Sequence, residues 1–288
     1  MFQKKYYYWL FVLPSLLLIS IIILIPFLIG IYYSFTNSNG ITASWIGLKN
    51  YFLLFSDANF LQSCWLTFLF SLLSVAGINV IALSFALLVT RQDNRFTKFL
   101  RTIFFIPNLI GGILLGFIWQ FIFIQVFGAL GSQLHLSFFS GWLSTPESGL
   151  WGLVILFWWQ MSGYIMLIYV AFLNAIPRST IESAKLDGAN EGQIFWWIKL
   201  PQLAPAFTIS LFLTLANSFK LYEQNLALTN GGPYRSTEMI AMNIYNTAFV
   251  NYQQGYAQAA GILLFIFVAL ISFGQLYFSR KGEHQNES

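Results

Sequence analysis

Six long apolar runs separated by short polar stretches account for most of the chain, at about 8–35, 64–90, 102–127, 150–173, 204–228 and 256–279. A helix needs roughly 20 mainly apolar residues to cross a hydrocarbon core about 30 Å thick, and each run meets that length. Backbone groups in lipid must pair within their own segment, so the pattern predicts an all-α integral membrane fold of six transmembrane helices, in one domain over residues 1–288. Composition agrees. Hydrophobic residues make up 57% of the 288 and charged ones 8%, against about a quarter charged in ordinary soluble domains.

The basic residues orient the runs. Lys4, Lys5, Arg91, Arg95, Lys98, Arg101, Arg178, Lys185, Lys199, Arg280 and Lys281 fall on one side, Lys49 and Arg235 on the other, and Lys220 at the end of the fifth run. By the positive-inside rule both termini are cytoplasmic, in a multi-pass protein of the cell membrane. The net charge of +4 is then an orientation signal and does not call for nucleic acid. Lys4 and Lys5 also resemble the start of a signal peptide, but the apolar stretch after them outruns a 7–15-residue signal core and lacks an A-x-A-like end, so it reads as a retained anchor. Aromatic residues at run ends, Tyr6-Tyr7-Tyr8-Trp9, Tyr32-Tyr33 and Tyr277-Phe278, suit an interfacial belt. Phe104-Phe105 and Trp158-Trp159 lie inside runs and read as packing or lipid contact.

Catalytic chemistry finds no footing. Cys64 is the single cysteine, so neither an intrachain disulfide nor a Cys/His zinc site can form, and His135 and His284 are far apart in sequence. There is no G-x-x-x-x-G-K-[ST] phosphate loop. The expectation is no catalytic residue, no metal and no cofactor bound by this chain. Two prolines interrupt the runs. Pro26 reads as a packing kink, whereas Pro107-Asn108 fits either a kink or the shaping of a pathway. Gly112 and Gly116 form a G-x-x-x-G pair that permits close helix approach.

Between the fourth and fifth runs the character changes abruptly, over the loop 177–203. Ser179 and Glu182 make a capping-box pattern that predicts a short helix from Thr180, and Gly188 is set to end it in a left-handed conformation. Asn190 with Gln193 predicts a second helix start, which Pro201 terminates or kinks. A helix this short is marginal alone and suggests docking against a partner. Here the sequence resembles the permeases of binding-protein-dependent, ATP-driven importers, whose loop reads E-A-A, three residues, G, nine residues, I-x-L-P. Glu182-Ser183-Ala184, Gly188 and Ile198-Lys199-Leu200-Pro201 keep that spacing, with Ser183 in place of the first alanine.

The resemblance runs along nearly the whole chain. Trp45-Ile46-Gly47-Leu48-Lys49-Asn50-Tyr51, Arg101-Thr102-Ile103-Phe104-Phe105-Ile106-Pro107, Leu228-Thr229-Asn230-Gly231-Gly232-Pro233, Thr237, Tyr245, Ala248-Phe249 and Gly255-Tyr256-Ala257 look like the branch that carries oligosaccharides, disaccharides and glycerol phosphates. It implies a type I ABC importer permease bundle with a cytoplasmic coupling helix. It further implies that Glu182, Ser183, Ala184, Asp187, Gly188 and Ala189 dock into a cleft of a separate ATPase, with Glu182 as the polar contact. The implied partners are a second homologous permease, two ATPase subunits that bind ATP and Mg, an extracytoplasmic substrate-binding protein and the bilayer. Gly231-Gly232-Pro233 is either turn punctuation or part of a surface that receives the binding protein.

Polar residues within spans usually face the bundle interior or water. Asn217, Lys220 and Gln224 recur on one helical face, with Glu223 three residues after Lys220 and able to pair with it. They fit the outer part of a substrate path, or simple placement at the interface with Lys220 snorkelling. Asn79 and Gln160 are lesser path candidates that fit interhelical hydrogen bonds equally. The competing reading is an ion-coupled secondary transporter, which predicts repeated halves with matching broken helices, and no convincing repeat is present. A third, an intramembrane enzyme, needs polar groups converging within the membrane, whereas the densest charged segment lies in the loop 177–203.

Overall fold

A computed structural model describes residues 3–92 and 94–286, with side chains for 9–92 and 94–275. Tyr6, Tyr7, Tyr8, Lys4, Lys5, Tyr277, Phe278, Arg280, Lys281 and His284 have side chains outside the described ones. Among the described residues there is no strand, only one isolated bridge between Thr36 and Trp45. Gln3–Ile19 (α1) passes through a π turn at Ser20–Leu24 into Ile25–Ser34 (α2). The widened turn lies just ahead of Pro26, which has no N–H to donate. Lys49–Leu54 (α3) and the 33-residue Ala58–Thr90 (α4) follow.

The third run is not one helix, contrary to the expected span 102–127. Arg95–Phe105 (α5) ends in a 3-10 turn, Ile106–Leu109, and Ile110 is extended before Gly112–Phe121 (α6), a π turn and Phe127–Leu134 (α7). Pro107 removes a donor, and the long apolar helix is shifted to Gly112–Leu134. Pro146–Ala175 (α8) matches the fourth run. The loop holds Arg178–Leu186 (α9), then Glu191–Ile194 (α10), a π turn and Leu200–Gln202 (α11). The fifth run also breaks, with Ala204–Phe219 (α12) stopping before Lys220 and Glu223–Leu228 (α13) resuming. Ile240–Tyr245 (α14), a π turn and Gln254–Asn286 (α15) complete the chain. Among the described residues five helices are long and apolar enough to cross a membrane, six if α10–α11 and α12, bent by 64°, count as one.

Contacts divide the chain into two units. One comprises the segment ending at Leu61 with Asn243–Phe267. In it, Asn50 donates to the Ser34 and Thr36 carbonyls at 2.8 Å each and closes the end of α2. A Cβ on Gly255 would lie 2.1 Å from the Thr36 oxygen, so only glycine permits that approach. Tyr256 donates to Asp57 Oδ2 at 2.7 Å, while Oδ1 accepts from the Asn59 N–H at the start of α4. Several residues that carried the family resemblance thus hold this unit together.

The second unit comprises Gln62–Met242 and the segment from Val268. Its centre is α8, which buries Leu153, Leu156, Phe157, Ile165, Met166 and Tyr169. Trp158 lies over Gly77 and donates to the Leu73 carbonyl, and Phe104 stacks on Phe85 at 4.2 Å. A Cβ on Gly163 would overlap the Phe104 carbonyl. A polar seam joins α4 to its neighbours. Ser218 donates to Ser71 at 2.7 Å, and Asn79 Oδ1 accepts from Tyr169 at 2.7 Å and from Ser210 at 2.6 Å. Asn79 is therefore an interhelical link; it is not among the residues that line the polar cavity described below.

Lipid offers no competing donors, so the Asn79 cluster carries helix association that apolar burial cannot supply. Tyr169→Phe is expected to cost about 1 kcal/mol, and Asn79→Leu, which strips the acceptor from two buried hydroxyls, more. Thermal unfolding of the solubilised protein measures both; an unchanged melting temperature for Asn79→Leu would contradict the seam's role.

Candidate functional site

The two helix breaks meet at one cavity. Lys220 caps α12, its N–H donating to the Asn217 carbonyl at 3.2 Å, and Leu221 donates to Ser218 at 3.3 Å, so the chain turns before α13 begins. Asn217, Lys220 and Gln224 therefore do not share a face of one continuous helix. They nevertheless come together with Glu223, because the turn folds α13 back around a cavity of about 390 Å³ that Gln160 and Asn108 also line. No ion pair joins Lys220 to Glu223, contrary to the pairing expected from their spacing. Placed on opposite sides of the break, the two side chains present one cation and one anion to the same space.

Gln160 connects the breaks. Its Nε2 donates to the carbonyl of Ile110 at 3.4 Å, freed where α5 ends, and its Oε1 accepts from Gln224 Nε2 at 2.9 Å. It is at once a lining residue and an interhelical bond. Further along the face of α6 that packs on α13, Gln120 donates to the Leu228 carbonyl at the end of α13. Gly112 and Gly116 make this packing possible: a Cβ on Gly112 would meet Glu223 Oε2 at 2.6 Å, and one on Gly116 would meet Ala227 Cβ at 2.5 Å. Asn108 and Tyr222 line the cavity without having been named as path candidates, while Gln120 and Asn225 do not line it but bond the segments around it. Asn108 had a signal, a polar residue after a proline in an apolar run. Asn225, fully buried, knits the loop after α13 by bonding Thr229, Thr237 and Met239.

The second candidate is the loop around α9. This helix starts at Arg178 with Pro177 before it, and no side chain caps it, so the expected Ser179–Glu182 box does not form. The Thr180 N–H donates to the Pro177 carbonyl instead. Its end is as expected. Gly188 has φ +86°, its N–H bonds the Lys185 carbonyl at 3.1 Å and the Ala189 N–H reaches back to Ala184 at 2.9 Å, the paired bonds of a left-handed stop. Asn190 and Gln193 cap each other's backbone at the next start. The bend falls at Leu203, two residues beyond Pro201 and before Pro205, which cannot donate back to Pro201.

Ile181, Ala184 and Ala189 are half-buried, while Glu182, Ser183, Asp187 and Gly188 are exposed. Leu186 is 88% exposed and Trp197 81%, beside a cleft lined by Asp187, Gly188, Ala189, Gln193 and Trp197. A short helix with an apolar residue thrust outward is built to be covered. Lys185 bridges the turn to Glu191 at 2.8 Å, and that hydrogen bond and charge hold the Glu191 carboxyl below its usual range. A lowered carboxylate pKa adds stability above the unfolded value that is lost as pH falls, and with both partners exposed the effect is small.

Residues 78–283 match the family described as "Binding-protein-dependent transport system inner membrane component". The chain is 50% identical over 283 residues to the "Probable starch degradation products transport system permease protein AmyD" of Thermoanaerobacterium thermosulfurigenes, covering 98% of this chain and 97% of that one. It is 30% identical to the "Multiple sugar-binding transport system permease protein MsmF" of Streptococcus mutans, covering 97% of each. A bacterial ABC transporter involved in the import of the acidic polysaccharide alginate has the same fold, with a TM-score of 0.85 at 22% identity over 97% of this chain and 96% of that one.

Packing of α6 on α13 is the feature on which the cavity rests. Gly116→Val is expected to push α13 away at a cost of about 1–3 kcal/mol, read as a lower melting temperature together with faster proteolysis of the segment 220–230. A variant as stable as the parent would count against this packing.

Proposed function

The chain belongs to the family of binding-protein-dependent transport system inner membrane components, and we propose that it forms half of the path by which an ATP-driven importer takes in an oligosaccharide. It is a multi-pass membrane transport subunit and not an enzyme. ATP and Mg belong to two partner ATPase subunits, a second homologous permease completes the path, and a binding protein outside delivers the sugar. The reading is supported by relatives that carry starch degradation products and multiple sugars by name. The cavity between the broken helices suits such cargo, since Asn108, Gln160, Asn217 and Gln224 offer both donors and acceptors to hydroxyl groups.

Both termini and the α9 loop lie in the cytoplasm in this proposal, on the strength of the eleven basic residues that share that side. The observation that carries coupling is the exposed α9, closed by Gly188 and joined to α8 through Ile176 and Pro177 and to α12 through α10 and α11. Glu182, Ser183, Asp187 and Gly188 face outward with Leu186, so an ATPase surface that closes on them pulls directly on two spans.

Glu182→Ala, made in the importer purified with its partners, is expected to lower sugar-stimulated ATP hydrolysis and uptake together by about tenfold, and deletion of 179–190 to abolish both. Uptake that persists without any associated ATPase would sink the proposal and favour an ion-coupled carrier.

A further inference from the structure

A second cleft, of about 490 Å³, shares no lining residue with the polar cavity. It is formed by the 3-10 turn Ser137–Phe139, the loop to Thr145 and the first turns of α8, and is lined by Phe138, Ser140, Trp142, Glu147, Ser148 and Trp151 among others. We infer that this cleft is a docking subsite for a pyranose ring of a neutral oligosaccharide, held before the sugar enters the path. The inference rests on the proposed carbohydrate cargo and on the orientation that puts the loop 135–145 outside.

The walls are braced by contacts of their own. Trp142 stacks on Phe123 at 4.8 Å and 13°, and its indole N–H donates to the Phe138 carbonyl at 2.8 Å. Thr145 and Ser148 cap each other's backbone and fix the start of α8. Preorganisation of this kind lowers the ordering cost of binding. Three polar groups have no hydrogen bond or ion pair among the described residues: the Glu147 carboxylate, the Ser140 hydroxyl and the Trp151 indole N–H. One is an acceptor, one a donor, and one either.

A pyranose has two kinds of surface, flat patches of C–H groups and a rim of hydroxyls. Aromatic rings cover the first by apolar contact, and scattered donors and acceptors satisfy the second. The cleft presents both within one small volume, with Trp151 offering a half-exposed ring beside its free N–H. Glu147 is the one ionisable side chain among the lining residues. It accepts from sugar hydroxyls but repels phosphate or uronate groups, so the subsite fits an uncharged sugar.

The test uses the assembled importer in nanodiscs without its binding protein, titrated with maltotetraose and followed by saturation-transfer NMR. Ring C–H protons of the sugar are expected to receive saturation. Trp151→Ala should weaken binding about fivefold and Trp151→Phe, which keeps a flat ring, should retain it. A tetragalacturonate should bind the parent about tenfold more weakly and recover with Glu147→Gln, a surface change that leaves folding alone. Equal maltotetraose binding by Trp151→Ala and the parent, in a complex that still imports sugar, overturns the subsite and leaves the transport reading standing. Saturation of phospholipid headgroup protons in place of the sugar makes the cleft a lipid-belt contact and also overturns it. A complex that binds maltotetraose in this cleft yet imports no neutral sugar refutes the transport reading alone.

Discussion

An unpaired backbone amide or carbonyl in hydrocarbon costs several kcal/mol, and this constraint governs the helix breaks that border the polar cavity. Two helices break where α5 gives way to α6 and where α12 gives way to α13. Each break frees carbonyls that need donors. Gln160 supplies Ile110 at the first, the residues of the second bond back to Asn217 and Ser218, and Gln120 supplies Leu228 where α13 ends. Gln160, which repairs the backbone at the first break, is also one of the polar side chains that line the cavity. Irregular backbone in a membrane persists where it is buried in protein or lines a wet space, and here it does both.

Close approach by small residues makes that repair geometrically possible. Gly112 and Gly116 let α13 lie against α6, Gly77 accepts the Trp158 ring, and Gly163 lets α8 touch the Phe104 carbonyl. None of these contacts gains much from water exclusion, since lipid is as apolar as the side chains it would replace. Shape and hydrogen bonds do the selecting, which is why the Asn79–Tyr169–Ser210 cluster sits at the centre of the second unit. The loop around α9 follows different rules. In water its short helix needs defined stops, and Gly188, Asn190 and Gln193 provide them with backbone and cap bonds.

Much of the molecule was legible beforehand because its signals are local. Apolar length marks spans, a glycine with φ +86° is foreshadowed by its place after a short helical pattern, and Asn190 with Gln193 is a cap by spacing alone. The failures share a cause. The Ser179–Glu182 pattern did not cap because the helix already starts at Arg178, two residues earlier than Thr180, with Pro177 in the cap position. The face of Asn217, Lys220 and Gln224 assumed a period of 3.6 that a break at Lys220 removes, although the cavity gathers those residues for another reason.

The chain by itself determined membrane insertion, the number of apolar runs, their charge asymmetry and the loop whose motif spacing identifies the family, all of which depend on residues near one another in sequence. Tertiary structure alone decided that the third and fifth runs are broken, that Asn79 is a structural link while Gln160 both links and lines, and that Lys220 and Glu223 stay apart across one cavity. Those outcomes turn on which distant carbonyl finds which distant amide once the helices pack. That choice is made by pairs as far apart as Asn79 and Ser210 or Gln120 and Leu228, and no local pattern encodes it.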